Sequence, residues 1–299
     1  MSPALPASIF LESARILAHQ AFPGNQHQLS LAAPRCAQTA HPGQFVHLQC
    51  HPLRPLRRPI SLLLCDPEAG RVELFYKAVG EGTRLLAGRQ VGEIISLLGP
   101  IGVPFRLHSE RSRPLLIGGG VGMPPMVFLA QSLRANPHYR PLVLLGSEVP
   151  FPFTPRPSQL LVPGLPDGVI ACQPLLDDWQ IPSRLASLRG LPGCFEGYVT
   201  ALAHHWLAGL DAATRSEVEI HACGPPSMLA AAAQLARTFG LPGQLSLEEY
   251  MACGVGGCAG CTIPLMTPAG LAMKRVCVDG PVFDVGQVFP GERHSLEYR

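Results

Sequence analysis

Over the first hundred residues, apolar and polar positions alternate in short runs and never recur at helical intervals. The runs FLESARIL (10–17), HQLSLAA (27–33), FVHLQC (45–50), ISLLLCD (60–66), RVELFYKAV (71–79) and EIISLLG (93–99) are parted by turn-forming segments such as PGNQ, HPGQ, DPEAG and GEG. Six short strands at this spacing predict a small antiparallel β-barrel over residues 1–107. From about residue 112 the pattern changes to strand, glycine turn, helix. PLLIG (114–118) reads as a buried strand, GGVGMPP as a turn, and MVFLAQSLRA (126–135) as the start of an amphipathic helix. RPLVLLGS (140–147) and EVEIHACG (217–224) are further buried strands, and PPSMLAAAAQLARTFG (225–240) is a helix with proline in its first turn and glycine at its end. This alternation predicts a Rossmann-like parallel sheet covered by helices over residues 108–245. Within it, the Pro- and Gly-rich stretch 149–195 predicts ordered surface loops with a helix near 182–189. The remainder, 246–299, is too short for an apolar core of its own and is expected to be held largely by a metal centre.

Composition narrows the class. A chain of 299 residues, 47% hydrophobic and 15% charged, has ample material to bury and suits two domains with a small third. The net charge of +2 and the lack of a Lys/Arg block argue against nucleic acid. No run is apolar enough to span a bilayer, because PLLIGGGVGMPPMVFLA is broken by glycines and prolines. The N-terminus lacks the basic-then-apolar pattern of an export signal, so a cytoplasmic location is expected. Ten cysteines in a reducing compartment would serve metals rather than disulfides.

Four of those cysteines form the most specific motif. Cys253, Cys258, Cys261 and Cys277 follow C-x4-C-x2-C, then fifteen residues, then C, which is plant-type [2Fe–2S] spacing. Gly254, Gly256, Gly257 and Gly260 let the intervening backbone turn its N–H groups inward. Structural zinc is the competing reading, although only Cys258 to Cys261 has a zinc-knuckle interval; free thiols are a third. In the α/β region, Gly118, Gly120, Gly122 and Pro125 make G-x-G-x-G-x-x-P between strand and helix, a place for a phosphate or merely a tight turn. Cys223 and Gly224 open a second turn at the carboxyl edge of the same sheet, although Cys223 also reads as a small buried apolar residue. Glu148, just after a strand, is placed to accept a ribose 2′-hydroxyl and so to favour NADH, or is an exposed loop residue. In the barrel, Arg58, Pro59, Ile60 and Ser61 open a strand, where an Arg can grip a pyrophosphate, or simply be solvated, and a Ser hydroxyl can reach a flavin ring. Gly82 and Thr83 are expected in a turn. No catalytic triad or carboxylate pair is evident.

Taken in order, RPIS, GEGT, GGGVGMPP, ACGPP and MACGVGGCAGC…VCVDGPVF resemble the electron-transfer subunit of type B dihydroorotate dehydrogenase, within the ferredoxin reductase-like flavoproteins. GYVT (197–200) also resembles that pattern, whereas the Pro-rich stretch after Glu148 departs from it. The resemblance implies FAD against Arg58, Pro59, Ile60, Ser61, Phe75, Tyr76, Lys77, Gly82 and Thr83, and a [2Fe–2S] cluster on Cys253, Cys258, Cys261 and Cys277. It implies NAD(H) against the Gly118–Gly122 and Cys223–Gly224 turns. It further implies an NAD(P)H-oxidising subunit in pyrimidine biosynthesis that needs no catalytic side chain for hydride transfer and passes electrons to a catalytic flavoprotein partner. Reductase subunits of hydrogenase, transhydrogenase or oxygenase systems are alternatives, as are a zinc-holding interaction module and a nucleotide-sensing flavoprotein.

Overall fold

The alternating first third closes on itself. In the computed structural model, which describes residues 9–290, six strands form one barrel in the order β1-β2-β5-β4-β3-β6. They are β1 (Phe10–Phe22), β2 (Gln26–Ala32), β3 (Phe45–Gln49), β4 (Arg58–Asp66), β5 (Arg71–Lys77) and β6 (Ile94–Ile101), all paired antiparallel. Leu29, Leu31, Leu48, Leu62, Leu74 and Leu97 fill the interior, and closure leaves no unpaired edge. Two short helices appear that the periodicity did not announce, α1 (Pro34–Thr39) and α2 (Glu81–Ala87). Each is under two turns, too short to print a 3.6-residue period.

The second region is a seven-stranded sheet. Its elements begin with β7 (Arg113–Gly119), α3 (Met123–Leu133), β8 (Leu142–Gly146), the two-residue pair β9 (Arg156–Pro157) and β10 (Ala171–Cys172), and α4 (Pro174–Asp178). They continue with β11 (Ser183–Ser187), β12 (Phe195–Glu196), α5 (Val199–Ala208), α6 (Ala212–Ser216), β13 (Val218–Cys223), α7 (Pro226–Phe239) and β14 (Gly243–Ser246). A hairpin, β15 (Thr262–Thr267) with β16 (Gly270–Arg275), leads to β17 (Val282–Asp284) and α8 (Val285–Val288). The sheet order is β12-β11-β8-β7-β13-β14-β17, parallel except for β17, which pairs antiparallel with β14. Helix α7 starts on Pro226 and ends at Gly240 with φ +64°, the left-handed stop that glycine adopts without strain.

Three local expectations change. Residues 182–189 hold strand β11 where a helix was expected, and the strand lies between β8 and β12 with every one of its residues buried. Arg184 is among them. Its guanidinium donates to the carbonyls of Val169 (3.0 Å), Ser183 (2.7 Å) and Leu160 (2.7 Å), so each nitrogen of the buried charge has a carbonyl partner. Helix α3 begins at Met123, ahead of the predicted Met126, because prolines at its first positions cost no hydrogen bond. The C-terminal segment also has more than a metal to hold it: Ile263, Leu265, Val276 and Val288 share one core with Ile220 and Leu245 of the sheet.

A buried polar latch joins barrel and sheet. Gln244, 1% exposed, accepts from the Arg106 backbone N–H (2.9 Å) and donates to the Arg106 carbonyl (2.7 Å) and to Glu219 (2.9 Å). Satisfying both backbone groups of one linker residue fixes where the chain leaves the barrel. Among the described residues no helix is long and apolar enough to cross a membrane.

Leu185 is fully buried and registered on Leu145 of β8. Leu185→Ala should therefore cost about 2–5 kcal/mol of unfolding free energy in a urea titration, the cost of a core cavity. A loss within about 0.5 kcal/mol, typical of a surface helix position, would contradict the strand assignment.

Candidate functional site

Strand register builds one wall. Antiparallel pairing of β4 with β5 through Leu62–Leu74 puts the start of β4, Arg58–Ser61, beside the end of β5, Phe75–Lys77. Gly82 and Thr83, expected in a turn, occupy the first turn of α2. There the Thr83 hydroxyl accepts from the Gly80 N–H (3.2 Å) and donates to the Gly80 carbonyl (3.1 Å). The Arg58 side chain lies directly across Gly82, where a Cβ would fall 2.7 Å from its Nε. Arg58 and the helix start thus share one locus. Ile60 points into the barrel core. Tyr76 does too, its hydroxyl bonded to His19 Nε2 at 2.9 Å and its ring stacked on His27, so only its backbone is free to face a ligand. Phe75 turns the other way and packs with Met123, Leu116 and Cys223 of the α/β region.

The opposite wall is the carboxyl edge of the parallel sheet. Gly118 and Gly119 finish β7, Gly120–Gly122 form a single 3-10 turn, and Pro125 falls inside the first turn of α3. β5 of the barrel packs against that turn. The two glycine turns are in backbone contact: a Cβ on Gly122 would sit 2.2 Å from the Cys223 carbonyl oxygen. Burial pushes the Cys223 thiol well above its usual pKa, which suits packing more than nucleophilic chemistry. Glu148 lies exposed just beyond β8. A cleft of about 1230 Å³ also runs between β4, β5 and α3, but of the predicted residues only Phe75 lines it.

Two residues at this seam were not anticipated. Glu248, two positions past β14, keeps an exposed surface, yet the protein packed around its carboxyl desolvates it and raises its pKa. Only the β13–β14 pairing, Cys223 opposite Ser246, brings it near Cys223. His47, on β3 and registered with Pro59 of β4, is fully buried against Gly254. Burial, then the neighbouring Arg57 charge, lower its pKa to about 4, so the ring is neutral at neutral pH. A lone His inside a strand carries no local signal that it will meet a loop about two hundred residues away.

The four cysteines gather at one end of the β15–β16 hairpin. Cys253 and Cys258 are hydrogen-bonding neighbours, as are Cys261 and Cys277, and Cys253 lies close enough to Cys277 to act on it electrostatically. No three His, Cys, Asp or Glu side chains among the described residues already stand at coordinating separation. Cys261 and Cys277 are buried, whereas Cys258 is exposed and Cys253 half-buried. The Val255 (3.5 Å) and Cys258 (3.4 Å) N–H groups donate to Cys253 Sγ, and the Gly260 N–H donates to Cys258 Sγ at 3.4 Å. Burial raises the Cys253 thiol, but these donors, with Gly257 and the Cys258 thiol, outweigh it and bring the pKa down to about 7. Burial and the adjacent Cys261 push Cys277 up to about 12.

Comparison with known proteins assigns this segment. Residues 248–289 match the family profile described as the iron-sulfur cluster binding domain of dihydroorotate dehydrogenase B. The electron transfer subunit of dihydroorotate dehydrogenase B (NAD(+)) from Desulforamulus reducens is 31% identical over 279 residues, 92% of this chain and 97% of that protein. The Bacillus cereus (strain AH187) protein of the same name is 33% identical over 88% of this chain and 93% of its own length. This chain belongs to the dihydroorotate dehydrogenase B electron transfer subunit family. It is therefore a subunit of an oxidoreductase. Its fold matches a chain of the NADH-dependent reduced ferredoxin–NADP oxidoreductase, with a TM-score of 0.73 at 24% identity over 92% of this chain and 89% of that one. It also matches the ferredoxin reductase of carbazole 1,9a-dioxygenase, with a TM-score of 0.60 at 22% identity over 80% of this chain and 68% of that one.

The residues present in this family member fit an iron–sulfur centre. The candidate ligands are all thiols, backbone N–H groups already point at two of the sulfurs, and Gly254 (φ +70°), Gly256 (φ +81°) and Ala259 (φ +54°) give the loop the left-handed positions that such wrapping needs.

The two turn glycines should behave differently when changed. Gly120 has φ +56° and open space, so Gly120→Ala costs only the left-handed strain of about 1–2 kcal/mol. Gly122→Ala drives a methyl into the Cys223 carbonyl and should cost more, about 3 kcal/mol. Urea unfolding of the two variants checks the order, and the reverse ranking would sink the close-approach argument.

Proposed function

We propose that this chain takes electrons from NADH and passes them to a catalytic flavoprotein subunit that oxidises or reduces the dihydroorotate/orotate pair. Residues 1–107 serve as the FAD domain, 108–245 as the NAD(H) domain and 246–299 as the [2Fe–2S] segment. The observation that carries this reading is the seam itself. One end of the barrel lies between the Gly120–Gly122 turn, through β5, and the Cys253–Gly254 loop, through His47.

When bound, FAD supplies the exchange between a two-electron hydride donor and one-electron transfers, and the iron–sulfur centre supplies the single-electron relay. The protein's share is binding and orientation. Arg58, lying over the start of α2, holds the flavin pyrophosphate as a charge-assisted donor. Pro59, Ser61 and the Phe75–Lys77 backbone form the barrel face on which the flavin ring rests, with the Ser61 hydroxyl available to it. The Gly118–Gly122 turn and the start of α3 meet the nucleotide phosphates, with Pro125 fixing the helix start and Cys223–Gly224 closing the far side. Phe75, buried in one cluster with Met123 and Cys223, would help exclude water from a flavin and nicotinamide bound here. Cys253, Cys258, Cys261 and Cys277 hold the cluster. Cys258 is exposed, and Tyr250, 94% exposed, precedes the loop, so this end of the molecule is the face offered to the partner subunit.

The cysteine assignment is checked by iron and acid-labile sulfide analysis of anaerobically prepared protein. Wild type should carry about two irons per chain, and Cys258→Ser or Cys277→Ser should lose them while keeping FAD. A colourless, iron-free wild type would remove the reading. Co-purification from the native cell tests the partner, and recovery of a dehydrogenase for some other substrate would overturn the dihydroorotate assignment.

Glu148 sets the nucleotide preference by repelling a 2′-phosphate, so kcat/KM for NADPH should fall below that for NADH by at least about tenfold. Glu148→Gln should narrow the gap. Equal use of both nucleotides by the wild type would refute the role of Glu148.

A further inference from the structure

His47 is fully buried, and neither ring nitrogen has a hydrogen-bond partner. Leaving an imidazole in that condition costs about as much as a lost hydrogen bond, so the position calls for a partner that arrives under some condition. The surroundings name one. A Cβ on Gly254 would lie 2.8 Å from His47 Nδ1, and the main-chain carbonyls of Met251 and Cys253 already act on the ring as weak acceptors, although neither makes a hydrogen bond of ordinary geometry to Nδ1 or Nε2. His47 also pairs with Pro59 across β3 and β4, and Arg57 holds the His47 carbonyl at 3.1 Å together with Ser96 at 2.9 and 2.7 Å. The ring therefore stands on a backbone that cannot shift freely, with the flavin strand on one side and the cysteine loop on the other.

We infer that His47 is a positioning residue for the iron–sulfur loop: as the four thiolates close on iron, its ring N–H donates to the main-chain carbonyl of Met251 or Cys253 and fixes the loop's height over the Arg58–Ser61 strand. This rests on the reading of Cys253, Cys258, Cys261 and Cys277 as cluster ligands. The Gly254 contact supplies the other half of the device, because only a residue without a Cβ lets the loop come down onto the ring.

The test uses the full chain with FAD and cluster loaded, following iron release to a ferrous chelator and the visible circular dichroism of the cluster. His47→Ala should accelerate iron release by about tenfold and alter the cluster dichroism while FAD content stays at the wild-type level. His47→Gln, which keeps an N–H donor, should return the rate to within about threefold of wild type. Gly254→Ala alone should accelerate release by at least about tenfold, and by less when added to His47→Ala, since the collision partner is gone and only the left-handed strain at φ +70° remains. Additive effects, or an unchanged rate and dichroism in His47→Ala, overturn the inference. So does joint loss of FAD and cluster in both His47 variants, which would make the ring core filling only. Iron and sulfide in the wild type are measured first. Their absence sinks the ligand reading, whereas loaded wild type with an indistinguishable His47→Ala sinks only the role of His47.

Discussion

Two backbone approaches with no room for a methyl group set the geometry of this protein. Gly122 touches the Cys223 carbonyl and Gly254 touches the His47 ring. The first locks together the two turns at the carboxyl edge of the parallel sheet. The second seats the cysteine loop on the barrel. Because interiors are packed as tightly as crystals, contacts of this kind transmit position directly: the two glycine turns move together, and so do the cysteine loop and the barrel. The Gln244–Arg106 latch then fixes the exit of the chain from the barrel, so β4, the glycine turn and the cysteine loop belong to one frame.

That frame sorts the thiols by environment. Cys223, sealed between Ser246 and Glu248, is held protonated by burial and acts as packing. Cys253, in a half-open loop, gains N–H donors that favour its thiolate, the form that ligates metal. Cys261 and Cys277 are both buried, and burial holds Cys277 as the neutral thiol until a cation takes the charge, so metal binding there would release a proton. The apolar residues of the hairpin, Ile263 and Leu265, anchor in the sheet core and leave the ligand loop at the surface end. Folding of the segment and loading of its centre are thereby partly separated.

Much of this was legible in the chain. The barrel followed from alternation, the sheet from the strand–glycine–helix repeat, and the cluster from cysteine spacing, because each is written in a local period or interval that physics ties to one structure. The helix expected at 182–189 failed for a reason that is equally physical. SRLAS combines strong helix formers with an arginine, and intrinsic propensity is a weak force beside burial between two strands. Three carbonyls that solvate Arg184 come from elsewhere in the fold or from the strand itself, and none of this is visible in a window of sequence.

The same division holds at the site. The sequence by itself determined what is carried by residue type and spacing: four thiols able to grip iron, glycines able to take left-handed turns, and an arginine and serine opening a strand. Only the tertiary structure decided which of them meet. It turned Tyr76 into the barrel, laid Arg58 across Gly82, and brought Glu248 and His47, unremarked in the chain, to the seam. The reason is that strand register and parallel-sheet order join residues far apart in the chain, as His47 joins Gly254, and no local pattern records a contact of that range.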